Sequence, residues 1–468
     1  MEHLGACIYG GCWVGEQSRI PNTRGIRNDV IQALSEIRPA VIRWPGGCFA
    51  DDYHWRDGVG LREHRPTTVN IHWGETLESN EFGTHEFLDL CRMTGAEPYL
   101  CGNVGSGSPR ELRDWVEYCN YAGDSSLAQL RARNGSAEPF KVRFWGVGNE
   151  LWGCGGNLSP EDYAADYRRY ATFMRNYSGS QLHLIACGPN GNDLEWTRRF
   201  FARLRRDYGQ GERVHGFAAH YYCGTAGSAL EYTEDQWTEL LARAAGIENL
   251  IRAQSAALRE VDPDGEIGLI IDEWGTWHPA TPGENPSFLW QQNTIRDALV
   301  AAITLNIFNN HAAVVTMANI AQTINVLQAV LLTEEDRLVR TPTWHVYRMF
   351  APHQGADALR TQVDSELAPG RFDMPLVAAS ASSLARGSAT LTLTNSSATC
   401  PVDVQLRAAS GRVRITAAET LAAPGGDYHA HNTFQHPDAV ASHPLQHDEE
   451  SDVVTLPAAS VTRLSVKL

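Results

Sequence analysis

The chain of 468 residues has no apolar run long enough to cross a bilayer. Its first residues, "MEHLGACIYGGCW", lack the basic start and continuous apolar segment of a secretory signal. Positive charge is in short supply: 39 Lys and Arg stand against 55 Asp and Glu, a formal charge of −16 that repels nucleic-acid phosphates and anionic lipid headgroups alike. C-x-x-C pairs are missing among the ten cysteines, which argues against a zinc ribbon or a dithiol redox motif and for reduced, buried thiols. The expectation from these absences is a cytoplasmic globular protein with no nucleic-acid or membrane partner. With 43% hydrophobic residues, the chain can build one large core and a second, smaller domain.

What is present is a rhythm. Seven short apolar runs read as strands: "AVIRW" (40–44), "EPYLC" (97–101), "VRFWGVG" (142–148), "LHLIAC" (182–187), "VHGFAAHYY" (214–222), "IGLIID" (267–272) and "AAVVTMAN" (312–319). Helical patterns lie between them. In "RELRDWVEYCNYA", Leu112, Trp115, Val116 and Cys119 share a face. "LSPEDYAADYRRYATFM" opens with Ser159 as N-cap and Pro160 at the first helical position, and carries a stripe of Tyr163, Tyr167, Tyr170 and Met174. Strands that are apolar throughout and alternate with helices predict a parallel sheet buried on both faces, here an α/β chain closed into a (β/α)8 barrel. After about residue 345 the pattern becomes period-two, in "ATLTLTN", "PVDVQLR", "GRVRITA" and "SVTRLSVKL", which predicts an antiparallel β-sandwich. The expected division is a barrel over 1–345 and a sandwich over 346–468. His429, His431, His436, His443 and His447 are irregularly spaced and read as a solvated loop rather than a metal site.

Chemistry in such a barrel sits at the C-terminal ends of the strands. Glu150 follows one strand, in "FWGVGNELW", and Glu273 closes another, in "IIDEW", three βα units later. A single strand-end glutamate is usually just solvated. Two at matched positions, flanked by Trp73, Trp152, Trp274 and Trp277, suit glycoside hydrolysis: one carboxyl protonates the leaving oxygen, the other attacks the anomeric carbon, and the indoles stack on sugar. Asp272 should point to the opposite side of the wall from Glu273 as a structural partner. "CGNVGSGSP" has no Lys and reads as a βα turn. His220 reads as a hydrogen-bonded interior residue.

Three segments, "IRWPGGCFADDYHWRDGVG", "GVGNELWGCGG" and "IIDEWGTWHP", resemble the signature segments of the α-L-arabinofuranosidases of glycoside hydrolase family 51, and the resemblance runs from Glu2 to the closing strand. It implies a retaining exo-acting enzyme that removes terminal arabinofuranosyl groups from arabinan or arabinoxylan oligosaccharides without metal or cofactor. Glu150 would be the acid/base, at the end of the fourth barrel strand, and Glu273 the nucleophile, at the end of the seventh. Sugar contacts would fall on Glu2, Arg43, Cys48, Trp73, Asn149, Tyr222, Trp277 and Gln322, with a small packing residue as the equal alternative for Cys48. The resemblance also implies a homo-oligomer, often a hexamer. Its first strand would end at the position of Glu2, so most of that strand is expected upstream of Met1, with low stability as the consequence. The rival readings are a β-xylosidase or endo-β-glucanase on the same carboxylates, or a non-catalytic sugar-binding barrel.

Overall fold

The computed structural model describes residues 1–208, 213–409, 411, 413–448 and 451–468. All seven expected runs are strands of one sheet: β1 (Val41–Trp44), β2 (Glu97–Gly102), β3 (Phe144–Val147), β4 (His183–Ala186), β5 (Gly216–Gly224), β6 (Gly268–Thr276) and β7 (Val315–Ile320). They pair in sequence order, each pair parallel, and curl into a nearly closed barrel. Tyr99, Ile185, Ala218 and Ile270 form a buried layer inside, with Val41, Phe144 and Met317 packed on it. Alternate residues face outward to the helices. Trp145 of β3, fully buried, meets Trp115 of helix Pro109–Asn120 edge-on at 5.6 Å between ring centroids.

The helix after Ser159 begins where the sequence predicts. Ser159 Oγ accepts from the Asp162 amide at the start of helix Pro160–Phe173, and Ser108 Oγ does the same for Glu111 in helix Pro109–Asn120. Each such cap satisfies an otherwise orphaned N–H and contributes about 1 kcal/mol. The stripe of Tyr163, Tyr167, Tyr170 and Met174 is buried.

Among the described residues no strand lies between β7 and β1. The Met1 ammonium group donates to the Arg43 carbonyl at 2.8 Å, so the first residue pairs with the upper end of β1. Below it lies a cavity of about 240 Å³, lined by apolar side chains such as Ile37, Val41, Leu305, Ala318 and Ile320 and reaching Glu2 and Glu273.

One strand breaks its alternation. The β5–β6 register shifts between Ile271 and Glu273, so that Ala219 faces Ile271 and the next residue, His220, faces Glu273. Asp272 is the extra residue of this bulge. The expectation that Asp272 and Glu273 point to opposite sides is therefore wrong: Asp272 follows the inward phase of Ile270, and the bulge turns Glu273 inward as well. Both reach Arg43.

The tail forms a six-stranded antiparallel sheet, including β8 (Asp357–Leu359), β9 (Val377–Ser383), β10 (Ser388–Asn395), β12 (Arg414–Ala422) and β14 (Ser460–Lys467), with β11 (Val402–Gln405) paired to β13 (Val453–Leu456) alongside. Val377, Leu393, Ile415, Leu456 and Leu464 are among its core residues. Arg412 of the expected strand "GRVRITA" lies outside the described residues. The expected boundary at 345/346 falls within helix Pro342–Phe350. Helix Ile295–Asn310 is buried on nearly all sides because the tail covers its outer face. There Asn309 and Asn310 donate to Ser380 Oγ and the Ala379 carbonyl. The histidine-rich segment is only partly solvated: His429 Nε2 donates to the Tyr232 carbonyl on the barrel at 2.8 Å.

Candidate active site

At the barrel mouth the chain turns sharply after β3. Gly148 has φ +86°, and Glu150 itself has φ +43°, a left-handed conformation that costs a non-glycine residue about 1 kcal/mol or more. Asp51, from the turn after β1, holds this bend: its Oδ2 accepts from the Asn149 amide at 2.6 Å, and its Oδ1 from the Val104 and Gly105 amides. Burial raises the Asp51 carboxyl to about 7, against the pull of those three N–H donors. Asn149 thus faces the barrel axis, with Glu150 beside it.

Arg43, buried on β1, joins the walls. Its Nη1 donates to Glu273 Oε1 at 3.0 Å and its Nη2 to Asn149 Oδ1 at 2.6 Å. Tyr222 OH donates to Glu273 Oε2 at 2.8 Å. His220 stands between the two glutamates, its Nδ1 2.8 Å from Glu150 Oε1 and 3.5 Å from Glu273 Oε2. One oxygen from each glutamate and a His220 nitrogen all lie within 4.8 Å of one another. Burial alone would raise the Glu273 carboxyl, but His220, Arg43 and the Tyr222 hydroxyl outweigh it and hold it below the usual carboxylate value. Burial opposes charge on His220 too, yet Glu273 and Glu150 raise its pKa. Glu273 is thereby kept ionised and fixed in orientation.

Across the mouth, Glu2 Oε1 accepts from Trp73 Nε1 at 2.7 Å and from the Phe49 amide, while its Oε2 accepts from Gln322 Nε2 at 3.0 Å. Burial, reinforced by the charge on Glu273, raises the Glu2 carboxyl to about 7. Gly47 lets it sit there: a Cβ at that position would lie 2.0 Å from Glu2 Oε2. Among the buried polar atoms of these residues, Asn149 Nδ2, a donor, and Gln322 Oε1, an acceptor, have no hydrogen-bond partner in the protein. A polyhydroxylated ligand supplies complements to both.

Residues 33–235 match the α-L-arabinofuranosidase 1 domain and residues 272–460 the α-L-arabinofuranosidase C-terminal domain. An intracellular exo-α-L-arabinofuranosidase of Bacteroides ovatus is 42% identical over 477 residues, covering 100% of this chain and 91% of that protein. The crystal structure of a GH51 arabinofuranosidase from Xanthomonas axonopodis pv. citri superposes with a TM-score of 0.92 at 41% identity, over 100% of this chain and 95% of that one. The chain belongs to the family 51 α-L-arabinofuranosidases. A Thermotoga maritima α-L-arabinofuranosidase in an arabinose complex is similar too, with a TM-score of 0.83 at 29% identity over 100% of this chain and 95% of that one.

In this family 51 chain, Arg43, Asn149, Tyr222 and Glu273 share one hydrogen-bond network, which His220 extends to Glu150, and Glu2, Trp73 and Gln322 form a second across the mouth. Trp277 is 38% exposed and stacks edge-on against the Tyr222 ring at 4.9 Å, which leaves an indole face for a sugar at the rim. Trp274 does not belong to the site. It is buried on the outer side of β6, against Phe308. Cys48 departs from expectation: it is disulfide-bonded to Cys154, so it has no thiol hydrogen to offer a sugar and is not one of a set of uniformly reduced cysteines. Nothing in the spacing of residues 48 and 154 signals this pair. Asp51 carries no signal in the sequence, since its role depends on amides from two other loops. The "CGNVGSGSP" segment is a turn, with Asn103 Oδ1 accepting from the Ser106 and Gly107 amides.

Proposed function

We propose that the chain is a retaining exo-α-L-arabinofuranosidase acting on terminal arabinofuranosyl groups of arabinan or arabinoxylan oligosaccharides. Glu273 attacks the anomeric carbon while Glu150 protonates the leaving oxygen. In the second step Glu150 takes a proton from water, which displaces Glu273. Arg43 and Tyr222 orient Glu273, and Asn149 Nδ2 donates to the sugar 2-hydroxyl. Glu2 and Gln322 bind further hydroxyls, and Trp73 and Trp277 line the sugar's path. The observation that carries this reading is the approach of the two carboxylates to within 4.8 Å. One oxygen of each lying that near the other favours the carboxyl spacing of a retaining pair, about 5–5.5 Å, over the roughly 6.5–9.5 Å that admits a water in an inverting one.

The chain through helix Pro342–Phe350 would form the catalytic unit and the strands after it an accessory β-domain, in a homo-oligomer. A cytoplasmic location is supported by the similarity to the intracellular Bacteroides ovatus enzyme and by seven buried free cysteines. No helix among the described residues is long and apolar enough to cross a membrane.

The test compares Glu150→Ala and Glu273→Ala on aryl arabinofuranosides of differing leaving-group acidity. Glu273→Ala should be inactive on all of them. Glu150→Ala should keep part of its turnover when the leaving group needs no proton, and azide should restore more. Identical behaviour of the two variants would refute the assignment.

A further inference from the structure

The disulfide lies against the acid/base residue. Cys154 Sγ is 3.4 Å and Cys48 Sγ 4.0 Å from Glu150 Oε2, on the side away from the Oε1 that faces His220. Disulfide sulfurs carry no proton, so these contacts are not hydrogen bonds and the bridge cannot ligate a metal as thiolate. Opened, the same atoms are different chemistry: two thiolates and a carboxylate oxygen, all within 4.8 Å of one another. The bridge joins the turn after β1 to the turn after β3, and Cys154 lies at the surface, within reach of a reductant.

From this juxtaposition we infer that the reduced protein has a site for a thiophilic divalent cation such as zinc or cadmium, made by Cys48, Cys154 and Glu150, and that occupancy of this site silences catalysis. The oxidised protein does not have it. Opening balances as follows: a phosphine and water, or two equivalents of a small thiol, supply two electrons. The S–S bond breaks, each sulfur takes a proton, and the reductant leaves as phosphine oxide or as a new disulfide. The metal then displaces both thiol protons to solvent. Zinc–sulfur bonds of about 2.3 Å in a tetrahedral site set the sulfurs roughly 3.7 Å apart. With the two cysteines 5.6 Å apart at Cα, that spread is reached by side-chain rotation. Three protein ligands leave the fourth position to water. A carboxylate held by the metal cannot deliver a proton to a leaving group. The silencing rests on the role proposed for Glu150; the binding does not.

The experiment uses the full chain, oxidised or reduced with a phosphine that is then removed without air. Cadmium is titrated while near-ultraviolet thiolate-to-metal absorbance is followed, and turnover of an aryl arabinofuranoside is measured with zinc. The reduced protein should gain absorbance saturating at one cadmium per chain, which the oxidised protein does not, and its turnover should fall at least tenfold with zinc and return with chelator. Cys154→Ser should lose the saturating absorbance and the zinc sensitivity relative to its own zinc-free rate. Cys400→Ser, which removes the exposed free thiol, should keep both. The inference is overturned by equal cadmium absorbance in both redox states, by absorbance that survives in Cys154→Ser, or by equal zinc inhibition with and without reduction, which would point instead to Glu150, His220 and Glu273 alone. Saturating cadmium absorbance with unchanged turnover overturns the silencing. Absence of turnover in the oxidised protein would count against the catalytic reading, and the cadmium titration would still decide the site.

Discussion

Replacing Tyr222 with Phe removes one oxygen and leaves the ring to pack on Trp277. That oxygen donates a hydrogen bond to Glu273 Oε2 at 2.8 Å, a bond to a charged acceptor, of a kind that contributes about 1.5–3 kcal/mol. Arg43 still holds Oε1, so the carboxylate keeps one anchor and loses the other. With about 1.4 kcal/mol per tenfold, kcat/KM should fall roughly 10- to 100-fold, mostly in kcat because the hydroxyl orients the attacking atom. The sign of the pH effect is fixed. The hydroxyl favours the ionised form of Glu273, so its loss raises that pKa and moves the acid limb of the kcat/KM profile to higher pH. Steady-state kinetics on an aryl arabinofuranoside across pH, with thermal unfolding as a control for the fold, read both effects. An unmoved acid limb, or kcat/KM within about twofold of the parent, would refute the claim that Tyr222 tunes Glu273.

Glu2→Gln separates stability from activity. A carboxyl raised from 4.5 to about 7 binds its proton more tightly when folded, so stability is lost as pH rises between those values, by about 3 kcal/mol once both are passed. Gln carries no charge, and Gln322 can turn its unpartnered Oε1 to accept from the new amide. Tm should therefore rise at pH 8 and stay level at pH 4, while kcat/KM falls at both; a Tm change that ignores pH would contradict this. Gly47→Ala places a Cβ 2.0 Å from Glu2 Oε2 at a φ of +55°, so it should cost about 1–3 kcal/mol in unfolding and at least tenfold in kcat/KM, and wild-type kinetics would show that Glu2 is not fixed there. Reduction without added metal should lower unfolding stability by about 2–4 kcal/mol, because the bridge closes a sequence separation of 106 residues; an unchanged melting curve would show that the loops are held without it.

The strands were legible because each is a short apolar run bounded by turn residues, and the helix starts because Ser159 and Pro160 state them locally. Glu150 and Glu273 stood out by position at strand ends. What escaped was set by contacts between distant segments. The bulge at Asp272 comes from the pairing of β5 with β6 and reverses the side that alternation assigns to Glu273. Asp51 looks like any loop acid until three amides from the two neighbouring loops converge on it. The sequence marks His220 as an interior residue, and its place between two carboxylates follows only from barrel closure. Trp274 and Trp277 look equivalent in "EWGTWHP", yet strand phase sends the first into the core and leaves the second at the mouth.

The pairing of Glu273 as nucleophile with Glu150 as acid/base is tested most directly by the configuration of the first product. An aryl α-L-arabinofuranoside is turned over in the presence of methanol, which captures the sugar before it mutarotates, and proton NMR follows the methyl glycoside as it forms. Two displacements at the same carbon predict methyl α-L-arabinofuranoside as the initial product. Initial formation of the β-anomer would show a single displacement and contradict a covalent intermediate on Glu273.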